Sequence, residues 1–429
     1  MSADSKNLLF QPMKIGKLEI SGRVMKAPMT EFLCDRDGYV TDAAVEFYEE
    51  FARAGTPLLI NGSTYFSKYS QGIRGSFNLD NDDKIEGLLR VTDAVHKHGS
   101  KIFTQIFHVG RQCAPESLDR DVSLAPSAIK DPTTGCVPRA MTIGEIQQTV
   151  KEFGEAAVRA KKGGFDGIQL HASHGYLISA FLTPHTNRRT DDYGGSFENR
   201  LRFGLEVYRE MRERVGADYP IILKLNGHDL LPLRKGLKTP DLTKIAQRFE
   251  AEGIDGIEVT AGHYESGGSF VRGNWTGFFK TLVTEGPGTT WPKGQQTLIK
   301  IFAPLLDFMF NRLSGYKPMF NLQYAEAFKE ALNIPVIAVG GFTEKADMEN
   351  ALATGQCDMI SVGRAFIADP HLYYHLKHDI EGPKCSHCQG CFARSGTHAL
   401  TCWDPEVAAQ RERMLDAEKD LQMINMDVC

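Results

Sequence analysis

Two histidines and a tyrosine stand close together in the sequence, at His171, His174 and Tyr176. Two neutral imidazoles can donate hydrogen bonds to a carbonyl oxygen that gains negative charge, as the donors of an oxyanion hole do. A tyrosine hydroxyl is a weak acid that can give a proton to carbon late in a reaction. The same His-x-x-His spacing also suits two metal ligands on one helix face, or two interior histidines with hydrogen-bond partners. The residues alone leave these interpretations open.

Glycine-rich turns follow further along the chain, at Gly340-Gly341 and at Gly363-Arg364. Bare backbone amides can approach a phosphate closely, and a following helix points its positive end at the anion. An arginine adds a bidentate contact to phosphate oxygens. The two pairs therefore indicate a phosphate site, and simple tight turns are the alternative explanation.

Four cysteines cluster near the end of the sequence in the pattern C-x2-C-x2-C-x10-C, at Cys385, Cys388, Cys391 and Cys402. Four thiolates at this spacing suit an iron–sulfur cluster or a tetrahedral zinc ion. Unmetallated thiols are the third possibility. The remaining cysteines of the nine are scattered, which argues for reduced thiols and against a secreted disulfide framework.

Eight short apolar runs alternate with amphipathic segments, which is typical of repeated βα units. The predicted strands are 23–27, 56–61, 101–107, 167–171, 221–225, 256–260, 335–339 and 359–362. The predicted helices are 43–53, 85–98, 146–162, 199–215, 241–252, 321–331 and 343–354. Capping residues such as Thr142 with Glu145 mark their starts, and glycines mark several of their ends.

Eight strand–helix units predict an α/β fold, a (β/α)8 TIM barrel, whose active site forms at the C-terminal ends of the strands. An open doubly wound sheet is the alternative, but its dinucleotide fingerprint is missing after the first strand. We expect the barrel to occupy 1–380, with an excursion over the active site at 262–318. A short extension with the cysteine cluster follows at 381–429. Loops as long as the excursion are usually lids or subdomains.

Charge and hydropathy argue against nucleic acids and membranes as partners of this chain. The chain carries 49 basic and 54 acidic residues, and its net charge of -5 offers no general attraction for nucleic acid or anionic membranes. The first twenty residues contain no uninterrupted apolar core of a signal peptide, and no stretch approaches the roughly 18 apolar residues of a membrane span. We therefore expect a cytoplasmic protein that acts on small molecules, and leave a homo-oligomer open.

The sequence around the two histidines also carries a family resemblance. The thirty residues from His171 to Arg200 resemble the signature of the old yellow enzyme family of FMN-dependent ene-reductases. Matching pieces occur at 27–30, 105–111 and 362–364. The resemblance covers roughly 8–376, so it includes the whole predicted barrel.

The resemblance implies FMN as cofactor. The residues that match the family's flavin contacts are Ala27, Pro28, Met29, Thr30, Gly62, Gln105, Lys224, Gly340, Gly341, Gly363 and Arg364. Thr30 would hydrogen-bond the flavin carbonyl next to N5, and Lys224 would stabilise the anionic reduced flavin. Many members have arginine at the position of Lys224. Lysine carries a compact charge where arginine carries a planar guanidinium, so we predict a shifted redox potential of the flavin.

The family's reaction would use NADH or NADPH as reductant and an α,β-unsaturated carbonyl compound as substrate. His171 and His174 would bind the carbonyl, flavin hydride would go to the β carbon, and Tyr176 would protonate the α carbon. His263 stands where dienoyl-reductase-like relatives carry a second acid, so we expect it to contact substrate; a solvent-facing loop histidine is the alternative. Phe32 stands where some bacterial members place a substrate-contacting tyrosine, which weakens any transfer of substrate preference.

The spacing of the cysteines resembles that of trimethylamine dehydrogenases and, less closely, dienoyl-CoA reductases. A flavin amine dehydrogenase or a dienoyl reductase with an iron–sulfur cluster is therefore the alternative enzyme. An amine substrate would require an aromatic cage, and Trp275, Phe278 and Phe279 leave that open. A flavin-binding scaffold without turnover is the non-enzyme alternative, against which the complete histidine pair and tyrosine argue.

Overall fold

The computed structural model describes residues 8–113, 122–232 and 236–419. The termini and two internal stretches, with Cys429 among them, lie outside the described residues. The strands are β1 Met13–Ile15, β2 Leu18–Ile20, β3 Val24–Lys26, β4 Leu58–Thr64, β5 Lys101–Ile106, β6 Leu124–Ala125, β7 Arg139–Ala140, β8 Gly167–Ala172, β9 Ile221–Asn226, β10 Gly256–Thr260, β11 Val336–Val339 and β12 Met359–Val362.

Helices surround these strands. They are α1 Asp42–Arg53, α2 Ile85–His96, α3 Ile143–Lys162, α4 Leu177–Leu182, α5 Phe197–Val215, α6 Thr239–Ala251, α7 Phe278–Thr284, α8 Lys293–Ser314, α9 Leu322–Ala331, α10 Lys345–Ala353, α11 Arg364–Ala368, α12 Leu372–His378, α13 Gly390–Ala393 and α14 Pro405–Glu418. Within the described residues, none of these helices combines the length and the apolarity that a membrane crossing demands.

Eight parallel strands close into one barrel in chain order, β3, β4, β5, β8, β9, β10, β11 and β12. Every residue of β8, β9 and β10 is buried. Such strands read as short continuous apolar runs because both of their faces are covered. The predicted (β/α)8 barrel is therefore confirmed, and each predicted strand coincides with one of the eight to within three residues at either end.

The N-terminal end of the barrel is closed by the hairpin of β1 and β2. Ile15 and Ile20 of this hairpin are fully buried and pack with Met25, Phe103 and Ile222 from inside the barrel. This apolar plug occupies the end of the barrel that serves stability, so the opposite end is left for chemistry.

Local capping explains where the outer helices begin. At α3 the Thr142 hydroxyl accepts the Glu145 N–H at 3.2 Å, and the Glu145 carboxylate accepts the Thr142 N–H at 2.8 Å. This reciprocal pair satisfies two backbone donors that a helix start leaves unpaired. The helix begins at Ile143, three residues before the predicted start, because the capping residue sets the first turn.

The excursion at 262–318 contains two helices, α7 and α8, that the sequence patterns did not predict. Pro304 lies inside α8, and an internal proline normally argues against a helix. Trp275 is buried and packs edge-on against Phe278 with ring centroids 4.7 Å apart, and Phe392 of the extension completes the cluster. The excursion and the extension therefore share an apolar contact outside the barrel. The division of the chain at residue 380 stays a prediction.

Candidate active site

A cavity of about 310 Å³ opens at the C-terminal ends of the barrel strands. The predicted site residues that line it are Ala27, Pro28, Met29, Thr30, Gln105, His171, His174, Tyr176, Lys224, Gly340, Gly341, Gly363 and Arg364. The excursion adds Tyr264, Phe270 and Tyr316 to the wall, and the extension adds Phe392. Residues from eight separate strand ends thus meet at one place, together with two segments outside the barrel.

Gly62 was predicted to contact the cofactor, but it is not among the residues that line the cavity. Its N–H donates to Glu31 Oε1 at 2.8 Å. A Cβ atom at this position would lie 2.4 Å from the carbonyl oxygen of Met29. Gly62 therefore lies behind the segment 27–30, where the lack of a side chain lets that segment approach β4 closely.

His263 occupies neither of the two places that the sequence suggested. It is fully buried and does not line the cavity. Burial lowers the pKa of His263 to about 3, although the nearby Glu265 carboxylate opposes the shift. Its Nδ1 accepts the Glu265 N–H at 3.2 Å, and its Nε2 has no hydrogen-bond partner among the described residues. The ring packs beneath Gly175, so it supports the segment that carries Tyr176.

His171 lies at the end of β8 and lines the cavity. The Ser173 N–H donates to its Nδ1 at 3.3 Å. Burial lowers the pKa of His171 well below its usual range, with His174 and Lys224 adding to the effect. The ring is therefore neutral and carries its hydrogen on Nε2. It has the hydrogen-bond donor that the sequence predicted.

His174 has the opposite arrangement. Its Nδ1 lies 2.9 Å from the carbonyl oxygen of Gly262, which can only accept, so Nδ1 carries the hydrogen. Burial lowers the pKa of His174 to about 3, and the positive charge of Lys224 contributes. The Nε2 of this neutral ring is an acceptor, 3.4 Å from the Thr260 hydroxyl. The prediction of two donor imidazoles is therefore corrected to one donor and one acceptor.

Tyr176 packs against His171 with ring centroids 4.9 Å apart and against Phe107 at 4.5 Å. Burial raises the pKa of Tyr176 well above its usual range, and a side-chain hydrogen bond with Tyr264 raises it further. The hydroxyl is therefore protonated at every ordinary pH. Tyr264 was not singled out from the sequence, although it directly follows His263 after the sixth barrel strand.

A buried polar network lies below the cavity floor and holds two of the predicted flavin contacts. Lys224 Nζ donates to Glu258 Oε1 at 2.9 Å. Gln169 donates to the other carboxylate oxygen of Glu258 at 2.6 Å and accepts from Gln105 at 2.7 Å. Ser361 also donates to Glu258, at 2.8 Å. Side chains from five barrel strands take part in this network, and a negative charge lies directly beneath the ammonium group.

The turns after β11 and β12 were predicted to hold phosphate. Gly340 and Gly341 have φ of 120° and 83°, where side chains are strained. Added Cβ atoms would lie 2.7 Å from Asn321 Nδ2 and 2.6 Å from the Lys317 carbonyl oxygen. Backbone N–H groups without covering side chains, together with the guanidinium of Arg364, form a donor set that fits an anionic phosphate. Thr30, Gln105 and Lys224 supply polar groups on the remaining wall, so the residues present fit FMN.

Arg364 lines two cavities, the large one and a small one next to it. Its guanidinium donates to Gln389 Oε1 at 2.8 Å and to the backbone carbonyl of Arg272. Gln389 belongs to the extension and Arg272 to the excursion. Both segments outside the barrel therefore touch the arginine that was predicted to bind phosphate.

All four clustered cysteines line the small cavity, together with Arg364 and Trp403. Burial raises the pKa of Cys391 to about 12, against the opposing charge of Arg364, and burial also raises the pKa of Cys385 and Cys402. These thiols are therefore neutral unless a metal replaces their protons. Four sulfur atoms around one space fit an iron–sulfur cluster or a zinc ion.

The aromatic cage considered for an amine substrate is not formed by the residues named for it. Trp275, Phe278 and Phe279 pack with one another and with Phe310, and none of the three lines the cavity. Their apolar faces are used to join the excursion to the extension. The specific feature that kept an amine substrate open is therefore absent from this part of the chain.

Comparison with known proteins agrees with this geometry. A family model described as the NADH:flavin oxidoreductase / NADH oxidase family matches residues 8–264 and 289–382. An NADH oxidase from Thermoanaerobacter brockii is 35% identical over 388 residues, which cover 89% of this chain and 53% of that protein. A cinnamate reductase from Clostridium sporogenes is 32% identical over 437 residues, which cover 98% of this chain and 60% of that protein.

The barrel also has a counterpart among solved structures. An old yellow enzyme homologue from Zymomonas mobilis aligns with a TM-score of 0.70 at 24% identity, covering 94% of this chain and 99% of that one. At this identity the likeness concerns the fold. The chain spans about half the length of the curated relatives that it matches first.

Proposed function

Because the chain belongs to the NADH:flavin oxidoreductase / NADH oxidase family, we propose that it is an FMN-dependent enzyme that uses NADH or NADPH to reduce a carbon–carbon double bond conjugated to a carbonyl group. The pairing of His171 with Tyr176 carries the proposal. The histidine presents an N–H donor and the tyrosine a protonated hydroxyl, with ring centroids 4.9 Å apart on one wall of the cavity.

The cofactor's place follows from the donor set. Segment 27–30, the two glycine turns and Arg364 would hold FMN, with Lys224 beside its ring. The chemistry that FMN supplies when bound is the acceptance and donation of hydride. A cation beside a ring that becomes anionic on reduction stabilises the reduced form. Lys224 is already held in place, so no side chain has to move when the negative charge develops.

The substrate's carbonyl oxygen accepts a hydrogen bond from His171 Nε2 in this scheme. That bond withdraws electron density and makes the β carbon more electrophilic. Hydride arrives at the β carbon and Tyr176 gives its proton to the α carbon, so the double bond becomes single. The nicotinamide is oxidised in the first half of the cycle, and water restores the phenol's proton. The cinnamate reductase relative, aligned over nearly the whole chain, supports a conjugated alkene as substrate.

The alternatives have less support from the described residues. A flavin amine dehydrogenase would require an aromatic cage for its substrate, and Trp275, Phe278 and Phe279 do not form one in the cavity. A flavin-binding scaffold would not require a hydrogen-bond donor and a proton donor side by side. We further propose that the cysteine pocket holds an iron–sulfur cluster and that the enzyme works in the cytoplasm, where thiols stay reduced.

Anaerobic mixing of the purified protein with nicotinamides and then with substrates tests the proposal. NADH and NADPH are added separately, and loss of the oxidised flavin absorbance reports the first half-reaction. An enone, an unsaturated carboxylate and a saturated ketone are then added to the reduced protein. We expect the flavin to be reoxidised by one or both conjugated compounds and not by the ketone. A colourless protein that fails to bind FMN, or a reduced flavin that none of them reoxidises, would overturn the proposal.

A further inference from the structure

A second group of ionisable side chains lies away from the cavity, where α12 and α14 contact α1. His371 and His375 lie at the start of α12 and within it, and Glu418 is the last residue of α14. Glu50 of α1 and Asp369 complete the group. None of these residues lines the cavity proposed to bind FMN, so the group needs its own explanation.

Three donor atoms of this group converge. His371 Nδ1 and His375 Nε2 each contact a different oxygen of the Glu418 carboxylate, the latter at 3.1 Å. One donor atom from each residue lies within 4.8 Å of the other two. Ligands at about 2.0–2.1 Å from a tetrahedral zinc ion stand about 3.3 Å apart. The observed spacing therefore suits three ligands of one small cation.

The outer nitrogen of each ring also contacts a carboxylate. His375 Nδ1 lies 2.8 Å from Asp369 Oδ2, and His371 Nε2 contacts Glu50 Oε1. Histidines that bind metal almost always donate their other N–H to a carboxylate or a carbonyl, which fixes the tautomer and raises the basicity of the ligand. Both rings have this arrangement.

The hydrogen count shows that the group is more than a set of hydrogen bonds from neutral rings. A neutral imidazole has one N–H, yet both nitrogens of each ring face carboxylate oxygens. Each ring therefore needs either a second proton or a metal ion. Both rings are buried, with His371 0% and His375 3% exposed, and their centroids lie 6.1 Å apart. One divalent cation at the three converging donor atoms would contact both inner nitrogens and the Glu418 carboxylate at once.

The surroundings hold the group tightly. Gly382 passes so close that a Cβ atom there would lie 2.2 Å from Asp369 Oδ2 and 2.3 Å from His375 Nδ1. The backbone thus covers the outer nitrogen of His375 together with its partner Asp369. A second cavity, lined by Asp369 and His375 among others, opens beside the group.

We propose that His371, His375 and Glu418 form a binding site for a divalent zinc-class cation, with Glu50 and Asp369 orienting the two rings. Two nitrogens and a carboxylate suit such ions, and a water molecule would complete the tetrahedron. The site joins α12 to the end of α14 and so clips the segment after the cysteine pocket onto the barrel. Closing a loop of this length by a metal stabilises the folded state relative to the unfolded chain.

Metal content of the full-length protein is the first test. Affinity tags are removed, the protein is dialysed against zinc, and bound metal is measured by mass spectrometry. We expect His375→Gln to hold one zinc ion fewer per chain than the wild type. His378→Gln is the matched control, because this histidine is exposed on the same helix, and it should lose none. Equal zinc in all three proteins would overturn the proposal.

Cobalt distinguishes this site from the cysteine pocket. A thiolate-bound cobalt ion shows intense sulfur-to-metal charge-transfer bands, whereas cobalt held by nitrogen and oxygen shows only weak ligand-field bands. In Cys388→Ser we expect the weak bands to remain on titration with Co²⁺, and in His375→Gln we expect them to vanish. Absence of ligand-field bands in Cys388→Ser titrated with Co²⁺ refutes the site even if a histidine variant fails to fold.

The affinity for zinc provides a measurement that a purely structural role of these residues would not change. Asp369→Asn keeps the shape of the side chain but weakens the acceptor behind His375. We expect the dissociation constant for zinc to rise about 10–100-fold. Chelation of the wild type should also expose the end of α14 to protease, and added zinc should restore protection. Unchanged affinity in Asp369→Asn together with unchanged proteolysis after chelation would contradict the assignment.

Discussion

His174 donates its Nδ1 hydrogen to the backbone carbonyl of Gly262 across 2.9 Å, and this one contact makes its other nitrogen an acceptor. Gly262 lies just after the sixth barrel strand and has φ of 94°, a conformation in which a side chain would be strained. His171, three residues earlier, has the reverse tautomer because the Ser173 N–H occupies its Nδ1. The two histidines that look equivalent in the sequence therefore have different hydrogen-bonding roles.

Alanine variants should separate these roles. We expect His171→Ala to lower kcat for an enone about 10²–10³-fold, which is the usual cost of removing one oxyanion donor. His174→Ala removes an acceptor and should lower kcat by less than about tenfold, or about 1.4 kcal/mol. Stopped-flow reoxidation of the reduced flavin measures both variants. Equal losses would show that both rings donate to the carbonyl.

The pH dependence follows from the lowered pKa of His174. Its ring stays neutral in the folded protein down to about pH 3, whereas in the unfolded chain it gains a proton below about pH 6.5. The unfolded state therefore binds more protons in this window, and the free energy of unfolding falls as the pH drops from 6.5 towards 3. At pH 5 this ring alone should cost about 2 kcal/mol relative to pH 7.

Urea unfolding at pH 7 and pH 5 measures this difference in the wild type and in His174→Gln. The variant should lose less stability between the two pH values. The rate of enone reduction should show no acid limb near pH 6.5, since neither ring of the histidine pair is protonated there. A kinetic pKa near 6.5 that disappears in His174→Gln would count against a neutral ring.

Tyr176→Phe should separate the two halves of the catalytic cycle. FMN binding and reduction by the nicotinamide should stay within about twofold of the wild type, while enone-dependent reoxidation should slow about 10²–10⁴-fold. Tyr264→Phe is the matched control, because it removes the neighbouring hydroxyl and leaves the proton donor. Equal slowing of both half-reactions in Tyr176→Phe would exclude its role as the acid.

The carboxylate beneath Lys224 should influence the redox potential of bound FMN. Glu258→Gln removes the negative charge 2.9 Å from the ammonium group, so the anionic reduced flavin gains stabilisation. We expect the midpoint potential to rise by about 30 mV or more, which is ~1.4 kcal/mol for a two-electron couple. Lys224→Arg keeps the charge and changes its shape, and we expect a shift there too. Anaerobic redox titration measures both, and potentials equal to the wild type would refute the electrostatic argument.

Gly175 should tolerate no side chain. Its φ is 85°, and a Cβ atom would lie 2.0 Å from His263 Nε2 and 2.4 Å from Gln112 Nε2. Gly175→Ala therefore adds a clash to backbone strain, and we expect a loss of about 2–4 kcal/mol of stability. Gly99→Ala is the control, because its φ is 77° but no atom lies within 4 Å, and it should cost about 1 kcal/mol. Equal losses in urea unfolding would show that the clash is relieved elsewhere.

The barrel was predictable because its strands are short apolar runs bounded by turn residues. Positions just past strand ends were predictable for the same reason, since a barrel gathers them at one face. His263 and Tyr264 show where this reasoning ends. The sequence singled out the histidine, but the turn at Gly262 sends the histidine inward and the neighbouring tyrosine into the cavity wall. Backbone geometry of that kind leaves no mark in composition or spacing.

Contacts between distant segments were likewise hidden. His371 and His375 form a His-x3-His pair in the sequence, but their shared carboxylate lies on another helix more than forty residues away. Glu258 was read as part of an apolar strand, although it is the centre of the buried network beneath Lys224. Helix α8, with Pro304 inside it, lies in the segment that was expected to be a long excursion. In each case tertiary packing outweighs the local signal.

The engagement of Arg364 by both segments outside the barrel limits how this protein can be redesigned. Its guanidinium is shared between an acceptor from the excursion and one from the extension. Exchanging the excursion for that of a relative, in order to widen the range of substrates, would also release half of the restraint on the arginine at the phosphate turn. Substrate scope and cofactor retention are therefore coupled traits in this chain, and a swap of either segment has to preserve the acceptor that meets this side chain.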